Sequence, residues 1–119
     1  MSDNLKSELA QFTGTHQWHK FSCLSKLLMS DGVQYLAEKA GAYWLMDVIG
    51  SYQMVCNKDE MLRDYQIWTL TVKDSKGVVK CLRDTNDVAI TQEIPYTDFP
   101  MESIKLICEN GVIMLPQER

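Results

Sequence analysis

Two histidines and a cysteine fall within eight positions in the stretch Thr15-His-Gln-Trp-His-Lys-Phe-Ser-Cys23. On a helix, His16, His19 and Cys23 stand at i, i+3 and i+7 and share one face, offering the imidazole and thiolate ligands that zinc accepts. The same wheel sets Trp18, Phe21, Leu24 and Leu28 on the opposite side, which must then be the core. The ligands would therefore face solvent beside Lys20 and Lys26, whose charges oppose a bound cation. On a strand, His16 and His19 point to opposite faces and cannot chelate together. Both backbones argue against a metal, so exposed polar positions are the expected reading and no cofactor is implied. His16, His19 and Cys23 remain the candidate ligands.

The acid of interest is Asp47. It lies in the run Gly41 to Gly50, on a helix otherwise apolar nearly all round, with Tyr43 and Ser51 one turn away in each direction. A buried carboxylate must be paired, hydrogen-bonded or protonated, because an unpaired one costs on the order of several kcal/mol. One reading is a general acid or base with a displaced pKa. The other is an acid that fastens this helix to a neighbouring element. No histidine, lysine or second carboxylate is placed by sequence to complete a catalytic set, so the fastening role is expected and Asp47 stands as the catalytic candidate. Phosphate-binding, dinucleotide-binding, serine-hydrolase and zinc-protease motifs do not occur in the sequence. Cys23, Cys56, Cys81 and Cys108 lie 33, 25 and 27 residues apart, with no C-x-x-C pair, and read as free thiols in a reducing compartment.

Bulk properties narrow the partners. A chain of 119 residues has room for one core, which here spans residues 1–119 as a single domain. The formal charge is −4 with acids and bases interspersed, so the basic stripe that displaces counterions from phosphates is missing and nucleic acid is not an expected partner. The longest apolar run is too short to span a bilayer and is interrupted by Asp47, so no membrane is expected. The first residues show no signal peptide, which points to the cytoplasm.

The elements that position these groups change period along the chain. Asn4 can cap a first helix with Leu5, Leu9 and Phe12 on one stripe. A second begins at Asp31, where Asp31 and Gln34 read as a capping-box variant, and ends at Gly41. A third runs from Ala42 to about Val55 and reads as enclosed on every side. After the polar break at Asn57 to Glu60 the period becomes two, with strands at Tyr65–Lys73, Val78–Arg83 and Val88–Ile94 and a turn at Asp74 to Gly77. The last hairpin, Ser103–Glu109 and Val112–Leu115, turns on Asn110-Gly111, the pair a type I′ turn prefers, and sets Cys108 opposite Ile113. The predicted fold is α+β: a helical half over about 3–56, packed on an antiparallel β-meander of four to five strands over about 64–116.

The stretches DGVQYLAEKAGAYWLMDVIGSY at 31–52, IPYTDFP at 94–100 and NGVIMLP at 110–116 resemble an uncharacterised family of small bacterial proteins, a domain of unknown function often encoded by cyanobacteria, phages or plasmids. The resemblance implies a stand-alone domain and assigns no activity, substrate or site residue. The leading expectation is therefore a non-enzymatic accessory or protein-binding module, a homodimer among its partners, that serves a mobile element. Tyr43, Trp44, Tyr52 and Trp68 are the binding candidates, as aromatics of the kind that anchor interfaces. The alternative is a small-molecule binder or simple acid/base enzyme with a cone-like pocket between helices and sheet and Asp47 at its base. Met29, Met46, Met54 and Met61, gathered in the helical half, could line such a pocket.

Overall fold

The computed structural model describes residues 2–13, 18–20, 27–84 and 86–118. Helices α1 (Ser2–Leu9), α2 (Asp31–Ala40), α3 (Tyr43–Ser51), α4 (Gln53–Cys56) and α5 (Glu60–Asp64) precede the long strands β3 (Tyr65–Lys73), β4 (Lys76–Asp84), β5 (Asp87–Ile94), β6 (Ser103–Glu109) and β7 (Val112–Met114). The class is the expected α+β. The sheet is broader than a four- or five-stranded meander, because two-residue strands β1 (His19–Lys20) and β2 (Leu28–Met29) extend it to seven in the order β1-β2-β7-β6-β3-β4-β5. Only β3, β4 and β5 form a meander. β6 crosses back to lie beside β3 rather than β5, and β2 adds parallel to β7.

Alternation along the strands separates two faces. Gln66, Trp68 and Leu70 of β3, Val79 and Cys81 of β4, Leu106 and Cys108 of β6, and Ile113 of β7 are buried under the helices. The helices supply Val33, Leu36, Leu45, Met46, Ile49 and Leu62 to the same core. The hairpin register is the expected one, Cys108 opposite Ile113, with Asn110 and Gly111 at φ 54° and 79°. The β3–β4 turn is tighter than expected. Asp74 and Ser75 alone make it, at φ 55° and 62°, and Gly77 already belongs to β4. Aspartate tolerates the left-handed region because its short side chain bonds locally, which lets a two-residue turn form there.

Helix boundaries follow side-chain chemistry that composition concealed. Ser30, not Asp31, caps α2: its Oγ accepts from the Val33 N–H and donates to Glu118 at 2.5 Å. Glu118 completes the cap from the far end of the chain, accepting the N–H groups of Gly32 at 3.0 Å and Leu115 at 2.9 Å. The missing side chain at Gly32 makes room, since a Cβ there would lie 2.7 Å from a Glu118 oxygen. Gly41 stops the helix in the left-handed conformation as expected. The expected third helix divides at Tyr52 into α3 and α4, and the polar break beyond it holds α5, which Asp59 caps by accepting from the Met61 and Leu62 N–H groups.

The expectation that α3 is enclosed on every side is corrected. Leu45, Met46 and Ile49 are buried, but Tyr43 is 38% exposed and Asp47 faces solvent. The helix lies on the sheet as an outer layer, so its apolar composition exceeds what its position hides. Asp47, on the solvent side, therefore does not fasten the helix to the sheet.

Two thermal-melting series check these assignments. Glu118→Ala is expected to cost about 1–2 kcal/mol, because it strands a buried hydroxyl and two N–H groups. Asp47→Asn and Asp47→Ala are both expected to stay within about 0.5 kcal/mol of the parent.

Candidate functional site

Of the candidate metal ligands, His16 and Cys23 lie outside the described residues. His19 sits on β1 and its Nε2 meets Asp31 Oδ1 at 2.8 Å, which joins this edge of the sheet to the first turn of α2. Among the described residues no group of His, Cys, Asp and Glu side chains could hold a metal ion.

The binding candidates do not converge. Trp68 is 1% exposed, so it packs the core and cannot touch a partner. Tyr52 is half-buried with its ring 6.0 Å from that of Trp68, and its hydroxyl donates to Gln92 on β5. Trp44 is half-buried against the core, and only Tyr43 presents an exposed ring.

What the sequence concealed is a closed amide circuit beneath α4. Gln53 Nε2 donates to Gln66 Oε1 at 2.9 Å and Gln66 Nε2 donates back to Gln53 Oε1 at 2.8 Å. The remaining hydrogens go to the carbonyls of Ile49 and Leu62, and the Trp68 indole N–H donates to Gln66 Oε1 at 2.8 Å. Every donor of this buried set is satisfied, the condition under which a polar network stabilises rather than costs. The signal was present in β3, where a glutamine occupies the inward phase of the Gln66, Trp68, Leu70 alternation.

Above this circuit opens a cleft of about 400 Å³ between the helical layer and the β6–β7 turn, with Arg63, Asn57 and Asn110 among its walls and Gln53, Gln66 and Cys108 at its floor. Neither Asp47, Trp44 nor Trp68 lines it. Cys108 is no nucleophile there, because burial pushes its thiol up to about 12. Cys56 and Cys81 are also buried and free. The Cys81 thiol donates to Cys56, which lowers Cys56 from the ordinary thiol value and raises Cys81.

The outer face of the sheet carries a different feature. The register places Val88, Leu82, Ile67, Ile107 and Met114 side by side across β5, β4, β3, β6 and β7. At the usual strand spacing this row is about 19 Å long. Its β5 end is open, with Val88 46% exposed and Leu82 and Ile67 half-buried, whereas Ile107 and Met114 are buried. The next row on one side is Thr91, Lys80, Thr69 and Lys105. On the other stand Tyr65 and Glu109. Asp84 pairs with Asp87 past a register shift from Leu82 and is not part of that border.

Residues 3–119 match the model of a family described as Family of unknown function (DUF6876). No curated protein and no solved structure matches the chain. Among the described residues no helix is long and apolar enough to cross a membrane.

The amide circuit predicts that Gln66→Ala costs about 2–4 kcal/mol by chemical denaturation, since it strands the Trp68 N–H and opens a void. A second expectation concerns acid. Arg83 Nε lies 2.7 Å from Asp59 and holds its carboxyl below the usual range, aided by the two N–H groups it caps. That contribution is whole above the ordinary aspartate value of about 3.9 and fades as pH falls through the depressed one. Melting followed from pH 6 downward is therefore expected to fall less steeply for Asp59→Asn than for the parent.

Proposed function

We propose, from the premise that the chain belongs to this family of unknown function, that it is a non-enzymatic protein-binding module that pairs with a second copy of itself through the outer face of its sheet. The observation that carries the reading is the apolar row bordered by Lys80 and Lys105 on one side and by Glu109 on the other. A two-fold axis laid along the row brings Lys105 of one copy over Glu109 of the other, and the open Val88, Leu82 and Ile67 end of the row over its counterpart. Such a surface is self-complementary, as an isologous dimer requires. Sheets packed in this way stand about 10 Å apart with strands roughly 30° from parallel, which interdigitates one row with the other.

The buried free thiols among the described residues, Cys56, Cys81 and Cys108, support a reducing, cytoplasmic setting. The service of a mobile element rests on the sequence resemblance alone. The competing reading, an acid/base enzyme built around Asp47, loses its support because that carboxylate faces water away from the cleft.

Sedimentation velocity over a range of concentrations is the test. The parent is expected to dimerise. Lys80→Glu with Lys105→Glu is expected to weaken association by at least about tenfold, the scale of two or more charge pairs turned repulsive. Glu109→Lys in the same chain is expected to restore part of it. A parent that stays monomeric at high concentration overturns the reading, and so does a dimer indifferent to the lysine changes and to Leu82→Glu.

A further inference from the structure

The cleft above the Gln53–Gln66 circuit lies on the helix side of the sheet, away from the row that carries the proposed dimer, and its lining specifies a ligand of its own. Its volume of about 400 Å³ falls in the range of small-molecule sites, roughly 300–1,000 Å³. Among the described residues Arg63 is the one charged residue in its lining. No carboxylate stands beside it there, and among the described residues Arg63 forms no ion pair, although acids outnumber bases in the chain by 16 to 12.

The floor restricts what a ligand can ask of the protein. Both carboxamide hydrogens of Gln53 and both of Gln66 are already donated, and Gln66 Oε1 already accepts two bonds. Cys108 holds its proton, with a thiol pushed up to about 12 by burial. The floor is thus neutral and without a free donor, and Leu27 and Met54 add apolar surface beside it. The donors that remain are the Arg63 guanidinium and the carboxamides of Asn57 and Asn110, for which no side-chain partner exists among the described residues. The Asn110 backbone is held in a left-handed turn at the rim of the cleft.

We propose that this cleft binds a small organic carboxylate, its anionic group forked by Arg63 with Asn57 and Asn110 completing the oxygens, and its uncharged body resting on the glutamine floor between Leu27 and Met54. A guanidinium matches a planar carboxylate through two parallel N–H···O bonds. The single cation sets the charge. A monoanion is neutralised by Arg63 alone, whereas a phosphate dianion would keep a net negative charge in a cleft whose described lining holds no second cation. The same carboxylate can come from a free metabolite or from the C-terminus of a peptide, and the test separates the two.

The probes are N-acetyl-leucine, its carboxamide, a tripeptide ending in leucine, and inorganic phosphate, each titrated into the ¹⁵N-labelled full chain. N-acetyl-leucine is expected to move the side-chain amide signals of Asn57 and Asn110 and the indole N–H of Trp68, which reports on Gln66. The carboxamide and phosphate are expected to leave them in place. Arg63→Gln is expected to weaken binding at least about tenfold and Arg63→Lys to weaken it part of the way, since the fork is lost while the charge stays. Tighter binding of the tripeptide assigns the carboxylate to a chain terminus, and tighter binding of N-acetyl-leucine assigns it to a free acid. Equal response to acid and carboxamide overturns the proposal, as does a response to phosphate in place of the acid or indifference to Arg63→Gln. Dimer formation is unaffected by these outcomes, so the two surfaces are tested separately.

Discussion

The reciprocal bond pair between Gln53 and Gln66 fixes how the helices sit on the sheet. Gln66 lies on the core face of β3, where an unbonded carboxamide would cost on the order of several kcal/mol. Its partners come from three elements: the Gln53 side chain of α4, the Leu62 carbonyl of α5 and the Trp68 indole two residues along its own strand. A one-residue slip of β3 would turn Gln66 and Trp68 to the outer face and Ile67 inward. The burial of Trp68 and Leu70 already opposes such a slip, and the four directional bonds of Gln66 add to that opposition. The circuit therefore reinforces the register and ties α4 and α5 to one position over β3.

A second closure acts at the chain's extremities. Gln117 donates to the Leu9 carbonyl at the end of α1, while Glu118 caps α2. Helix ends leave orphan carbonyls and N–H groups, and here the last turn of the chain satisfies one kind on each of two helices. Tyr35 of α2 donates in turn to Glu8 of α1, and its ring lies 5.3 Å from that of Phe12. The N-terminal helix is short and has little propensity of its own. It is held by these contacts and by Leu5 and Leu9, which are buried against the core.

How much of this was legible follows from which forces act locally. The Asn110-Gly111 hairpin, the α1 stripe and the three long strands of the meander came directly from turn chemistry and period, because neighbours in sequence decide them. The place of β6 beside β3 did not, because two prolines and a long connection leave either edge of the meander open. The cap at Ser30 is hidden in the same way, because its second partner is 88 residues away. The reading of α3 failed for another reason: an apolar composition reports what a helix can bury, and says nothing of whether a second layer exists to cover it. The environment of Asp47 is set by the absence of such a layer over it and not by its neighbours in sequence. The cleft was invisible for the converse reason, since Arg63, Asn57 and Asn110 each read as ordinary surface or turn residues until the fold gathered them.

β3 joins these surfaces. Its even-numbered residues from Gln66 to Leu70 face the helices and its odd-numbered ones face outward, so Gln66 at the cleft floor and Ile67 in the outer apolar row are neighbours in the chain. A strand bonded on both sides, to β4 and β6 along nearly its whole length, cannot shift one residue without disturbing both ladders. The same rigidity that holds the glutamine circuit in register also holds the outer row straight. A central strand with a polar clamp on one face and an apolar row on the other is thus the element that lets a small chain carry two surfaces of different chemistry, each set by the parity of a single alternation.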